Sequence, residues 1–95
     1  MMRSDIVQSD IVASLCGRDK GALMMVVGLD CEGYALLCDG RLRKIEKPKR
    51  KKVKHIRLVC HTDCRAAQKI RAGERLSNSE IRRALADLQK PQPIE

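Results

Sequence analysis

Ninety-five residues make one small domain and leave no room for a second, catalytic domain or for a deep substrate pocket. There is no Phe, no Trp and a single Tyr, so the core has to be built from Leu, Ile, Val, Met and Ala, and platforms for stacking bases are nearly absent. The net charge is +8, and the whole excess lies in one tract: Arg41 to Lys54 holds nine Lys or Arg against Glu46, while the rest of the chain carries eleven basic and eleven acidic groups. Charge concentrated in this way points to a polyanionic partner more than to a general need for solubility.

In chain order, residues 1–9 are polar and read as a flexible extension; the echo of Ser4-Asp5-Ile6-Val7 in Ser9-Asp10-Ile11-Val12 is too short for a structural repeat. Asp10 to Leu15 reads as a first strand, with Ile11, Ala13 and Leu15 alternating against Val12 and Ser14. Gly17 and Gly21 then bracket Arg18-Asp19-Lys20, a tight loop from which the two basic side chains project. On local pattern alone this is a polar turn.

Ala22 to Leu29 is continuously apolar, as in a strand covered on both faces, and Gly28, Asp30 and Gly33 favour strand over buried helix. Tyr34 to Cys38 returns, and Asp39-Gly40 signals a two-residue hairpin into a further strand, Leu42 to Glu46. Lys47 to Lys52 cannot be a central strand, because Pro48 lacks an amide donor and neighbouring like charges repel; it must be a solvated loop or an edge. His55 to Val59 reads as the closing strand, with Ile56 and Leu58 inward. From Thr62 onward the pattern is helical. Thr62 or Asp63 caps a short helix through Ala66, Ala67 and Ile70 that Gly73 ends. A second helix opens with a capping box at Ser77 and Glu80 and a staple between Leu76 and Ile81, and Pro91 stops it. Its stripe of Ile81, Ala84, Leu85 and Leu88 packs on the sheet; the minority alternative is a protein partner docked through Ile81, Leu85 and Leu88.

The order of glycine loop, two apolar strands, Asp-Gly turn and basic tract, from about Ile11 to Ile56, resembles the KOW motif of RNA-binding ribosomal and transcription proteins. DGRLRKIEKPKRKKVKHI, Asp39 to Ile56, fits the small bacterial KOW proteins related to archaeal and eukaryotic large-subunit ribosomal proteins. The resemblance implies a mainly β fold: a small SH3-like barrel over residues 10–59, with a helical C-terminal extension over 60–95. It also implies a non-catalytic, ribosome-associated protein that binds structured ribosomal RNA. Lys49, Arg50, Lys51 and Lys52 would neutralise phosphates. Arg18 and Lys20 would contact backbone or base edges, with Arg41, Arg43, Lys44, Lys47 and Lys54 completing the surface. A protein-interaction module of the translation or transcription machinery, or a DNA-binding protein, are the alternatives, since phosphate attraction does not distinguish RNA from DNA.

Five cysteines at irregular spacing, with no apolar signal-peptide core near Met1, point to a reducing cytoplasm. Cys31, Cys38 and the run Cys60-His61-Thr62-Asp63-Cys64 lack the paired CxxC spacing of a zinc site, so no metal or other cofactor is expected. Cys60 beside His61 is a weak dyad, because sequence neighbours rarely aim at each other and no orienting carboxylate is implied. No catalytic residue and no small-molecule substrate are expected. The longest apolar run, Ala22 to Val27, falls well short of the roughly 20 residues a membrane span requires.

Overall fold

A computed structural model describes residues 6–18 and 20–89. Its elements are β1 (Ile11–Ser14), β2 (Leu23–Leu29), β3 (Tyr34–Cys38), β4 (Lys49–Lys52), a one-turn 3-10 helix (Val53–His55), β5 (Ile56–Cys60), α1 (Arg65–Ala72) and α2 (Asn78–Gln89). The strands form one antiparallel-paired sheet in the order β4-β3-β2-β1-β5. Among the described residues, no helix is long and apolar enough to cross a membrane.

The connection between β4 and β5 dictates the shape of the sheet. These strands are its two edges, which in a flat sheet would lie four strand spacings, about 19 Å, apart. Only Val53–His55 joins them, and that link reaches about 14 Å at full stretch. The sheet must therefore curl until its edges approach. Register shifts between Val26 and Gly28 and between Ile11 and Val12 supply the local bends. Hydrogen bonds from the Leu15 amide to the His55 carbonyl (2.9 Å) and from Val53 to Gly33 (3.0 Å) hold the turn across the open side. The curl stops short of closure: β4 and β5 are not paired, so the sheet is not a closed barrel.

Curling gives the sheet an inner and an outer face, each with its own core. Val12, Met24, Val26, Ala35, Leu37 and Ile56 fill the inside, with Ile6 and Val53 against them. Ile11, Met25 and Cys38 point outward and are covered by Ala66, Ala67 and Ile70 of α1 and Ile81, Ala84 and Leu85 of α2. This explains the unbroken apolar run of β2. The alternation expected for β1 is present, with Ile11 in the outer core and Val12 in the inner, and both faces are buried because helices cover one and the curl covers the other. Leu15 lies past the end of the strand and is exposed. Residues 6–9, expected in the flexible extension, are tied to the sheet: Ser9 is buried, its amide donates to the Val26 carbonyl (2.7 Å), and the Val7 amide donates to Asp10 (2.9 Å). Residues 1–5 of that extension, and Pro91, lie outside the described residues.

The expected strand at Leu42 to Glu46 does not form. Asp39 Oδ1 accepts the amides of Arg41 (2.8 Å) and Arg43 (2.9 Å), which folds the backbone into a turn, and the Ile45 amide is drawn to Asn78 Oδ1 (2.7 Å). The ladder with β3 begins only at Lys49, so the connection is a loop over residues 39–48 in place of a two-residue hairpin. The basic run is an edge strand, one of the two roles its composition allows.

Both helices begin and end near the expected points. In α2, Glu80 Oε1 accepts the Ser77 amide (3.0 Å) and Ser77 Oγ accepts the Glu80 amide (3.2 Å), the reciprocal capping box. Leu76 and Ile81 meet in the outer core. The N-cap of α1 is Cys64, one residue beyond Asp63 and two beyond Thr62, the expected caps, and Gly73 closes that helix at φ 73°. Asp63 pairs instead with Arg71, and Lys69 of α1 bridges to Glu80 of α2 (2.6 Å). That bridge and the cap hold the Glu80 carboxyl below its ordinary value. Because Ile81 and Leu85 are buried and Leu88 is half-buried against the sheet, the stripe proposed as a partner's docking face is internal packing.

Candidate nucleic-acid interface

The glycine loop is shaped by backbone need. Gly17 and Gly21 have φ of 87° and 86°, a region L side chains rarely adopt. The Gly21 amide donates to the Ser14 carbonyl (2.8 Å) and the Lys20 amide to Gly17 (3.2 Å), which leaves Arg18 and Lys20 exposed. Asp19 lies outside the described residues.

The basic tract is divided by the strand that carries it. Residues directly opposite across β3 and β4 share a face, and Lys49 and Lys51 face Leu37 and Ala35 of the inner core, whereas Arg50 and Lys52 face Leu36 and Tyr34 outside. Lys51 is 8% exposed and its Nζ donates to the Cys16 carbonyl (2.9 Å), so it braces the start of the glycine loop and is turned away from any partner. Arg50 is held by Asp30 (3.0 Å) and Glu32 (2.6 Å), and its guanidinium lies 3.6 Å from the centroid of the Tyr34 ring. The Tyr34 and Glu32 amides and Arg50 keep the Asp30 carboxyl below its ordinary value. Of the four residues expected to neutralise phosphate, Lys51 is therefore structural and Arg50 is already matched by two carboxylates. Lys52 is exposed on the Tyr34 side, and Lys54 is exposed on the 3-10 turn.

The remaining cations converge. Arg18 and Lys20 of the glycine loop line one open groove of about 720 Å³ with Arg43 and Lys49 of the basic tract. Ala22, Met24, Asp39 and Leu42 complete its walls. Arg41, Lys44 and Lys47 are exposed along the loop beside it. Two features separated by more than twenty residues in sequence thus form one positively charged concavity.

The loop that carries Arg43 is fixed by α2. Arg82 Nη1 donates to the Gly40 carbonyl (2.7 Å), and Asn78 accepts from Ile45 and donates to Glu46 Oε1 (2.9 Å). That last bond is the main reason the Glu46 carboxyl sits below its ordinary value. Local sequence reads as a two-residue hairpin at Asp39-Gly40, a reading that contains neither the Asp39 cap nor the clamp from Asn78 and Arg82. The cap is visible in retrospect as an Asx signal ahead of a loop, whereas the clamp joins residues that local pattern does not connect.

The sulfur chemistry is muted. His61 Nδ1 lies 2.7 Å from Oδ1 of the buried Asp10, so the orienting carboxylate that the sequence did not imply is present. The neighbouring Cys60 thiol is nevertheless pushed up, chiefly by burial and then by the Asp10 charge, opposite to the shift that activates a nucleophile. Among the described residues, no group of three or more His, Cys, Asp or Glu is arranged to hold a metal ion. Burial, with the charges of Asp39 and Glu46, raises the Cys38 thiol to about 12. Iodoacetamide at neutral pH is expected to label the exposed Cys16 and Cys31 in the native protein and Cys38 only after denaturation, as read by mass spectrometry; native labelling of Cys38 would contradict the packing of α1 and α2 on β3.

A scan against protein-family models and a search of the curated proteins both return no match for this chain.

Proposed function

We propose that the protein is a non-catalytic RNA-binding domain of the KOW type, with an SH3-like curled sheet, that contacts structured ribosomal RNA on the ribosome in the cytoplasm. The observation that carries this reading is the groove in which Arg18 and Lys20 meet Arg43 and Lys49. Four cations around one concavity on a rigid framework suit the closely spaced phosphates of a folded RNA. The sheet order and the short 3-10 link between its edges support the SH3-like assignment.

The single aromatic residue bears on the choice of RNA. Tyr34 has Arg50 over one face of its ring, so it offers little for a run of stacked single-stranded bases. Shape and phosphate geometry are what this surface reads.

The test is a salt titration of binding. With about five phosphates engaged, log affinity should fall against log salt with a slope of roughly −3.5 to −4.5, and the protein should sediment with large ribosomal subunits at low salt and leave them at high salt. A slope near zero, or sedimentation that resists high salt, would favour a protein partner.

A further inference from the structure

We propose that the groove beside the glycine loop receives one unpaired nucleotide extruded from a structured RNA, with Leu42 as the apolar wall against its base. This rests on the RNA-binding reading and names the feature of the RNA that is recognised.

The observation is the state of Leu42. It is 90% exposed, the most exposed large hydrophobic side chain among the described residues, and it sits in the middle of a cationic turn, between Arg41 and Arg43. An isolated exposed leucine on a mobile loop would need no explanation. Here the turn is rigid: Asp39 accepts the amides of Arg41 and Arg43, the Asp39 and Gly40 amides donate to the Arg43 carbonyl (2.9 and 3.1 Å), and Arg82 grips the Gly40 carbonyl. Backbone order at Leu42 is thus already established before a ligand arrives, which lowers the entropic cost of using it as a contact.

The groove it lines is mixed in the way a nucleotide site is mixed. Ala22 and Leu42 offer apolar surface, Arg18, Lys20, Arg43 and Lys49 surround it with positive charge, and Asp39 adds a carboxylate acceptor suited to the exocyclic amine of A, C or G. The open groove, of about 720 Å³, has room for one base and its sugar, within the range of about 300–1,000 Å³ of small-molecule clefts, whereas a stacked duplex cannot enter. The charge excludes an apolar peptide as the natural occupant. A base lifted from its stack presents a flat apolar face with a phosphate on each side, and that combination matches the lining.

Two RNA hairpins that differ only by one bulged adenosine provide the test, with binding to each measured for the parent protein, Leu42→Ala and Leu42→Met. The parent should prefer the bulged hairpin about tenfold. Leu42→Ala should weaken the bulged hairpin about tenfold more than the paired one, so that the preference disappears while the salt slope on both is kept, and Leu42→Met should keep the parent's ratio. An exposed side chain is not needed for folding, so loss of fold does not confuse the result. Equal binding of both hairpins by the parent would sink the nucleotide site and leave RNA binding standing. A Leu42→Ala variant that weakens both hairpins alike would also sink it. If neither hairpin binds, the RNA reading itself falls, and an acidic protein segment becomes the occupant to pursue.

Discussion

Replacing Arg18, Lys20, Arg43 and Lys49 together by Glu is expected to abolish RNA binding at physiological salt while the domain stays folded. The four side chains line one groove, so the change converts four attractions into four repulsions at a single surface. A loss beyond about a hundredfold follows from removing four counterion-releasing contacts. The salt slope of any residual binding should shrink toward zero. Single replacement of Arg50 by Gln should do much less to binding, because Asp30 and Glu32 already balance its charge, and loss of those exposed pairs should cost little stability. Reversing Lys49 to Lys52 as a block is a poorer probe. Lys51 is buried and bonds to Cys16, so a glutamate there would threaten the fold, whereas Lys49, on the same face, is half-buried and opens onto the groove. Binding isotherms and thermal melts separate the two effects: a quadruple variant that melts like the parent and binds RNA unchanged would defeat the RNA reading and leave a protein-interaction module in its place.

The second large effect is expected at Gly40. Its φ is 79°, and a Cβ there would stand 2.5 Å from the Asn78 carbonyl oxygen and 2.8 Å from Arg82 Cγ. The carbonyl belongs to the first turn of a helix whose buried face is locked in the core, so it cannot retreat cheaply. Gly40→Ala therefore combines left-handed strain with a backbone clash and should cost about 2–4 kcal/mol, or a Tm fall of roughly 10–25 °C for a domain of this size. Gly73→Ala is the control. Gly73 has a similar φ of 73° but nothing within 4 Å of a built Cβ, so it should cost only about 1–2 kcal/mol of strain. Equal melting points for the two variants would mean that the basic loop is not held against α2 as described.

How far the sequence alone reached depends on the range of the physics involved. Period and composition located β1, β2, β3 and β5 and both helices, because burial of Met24 to Val26 or of Ile81, Ala84 and Leu85 writes itself into neighbouring residues. Capping at Ser77 and Glu80 was equally local. What failed was the strand expected from Leu42 to Glu46, where the chain is instead held by Asn78 and Arg82 more than thirty residues away, and the exposure of the whole basic run, where the pairing register of the edge strand turns Lys51 inward. The site was legible in the same proportion. Charge identified the tract, but only the fold could say that Arg43 and Lys49 join the glycine loop, that Arg50 is occupied, and that Leu42 stands at the rim.

The clamp between the 39–48 loop and α2 also ties the charged surface to the outer core. Asn78 and Arg82 stand on the helix whose Ile81, Ala84 and Leu85 fill that core, so a change that loosens α2 also frees the loop that carries Arg43. Local opening of α2 would keep every positive charge and lose the geometry of the groove. Packing of the helix and shape of the basic surface are therefore one property, and neither can be altered without the other.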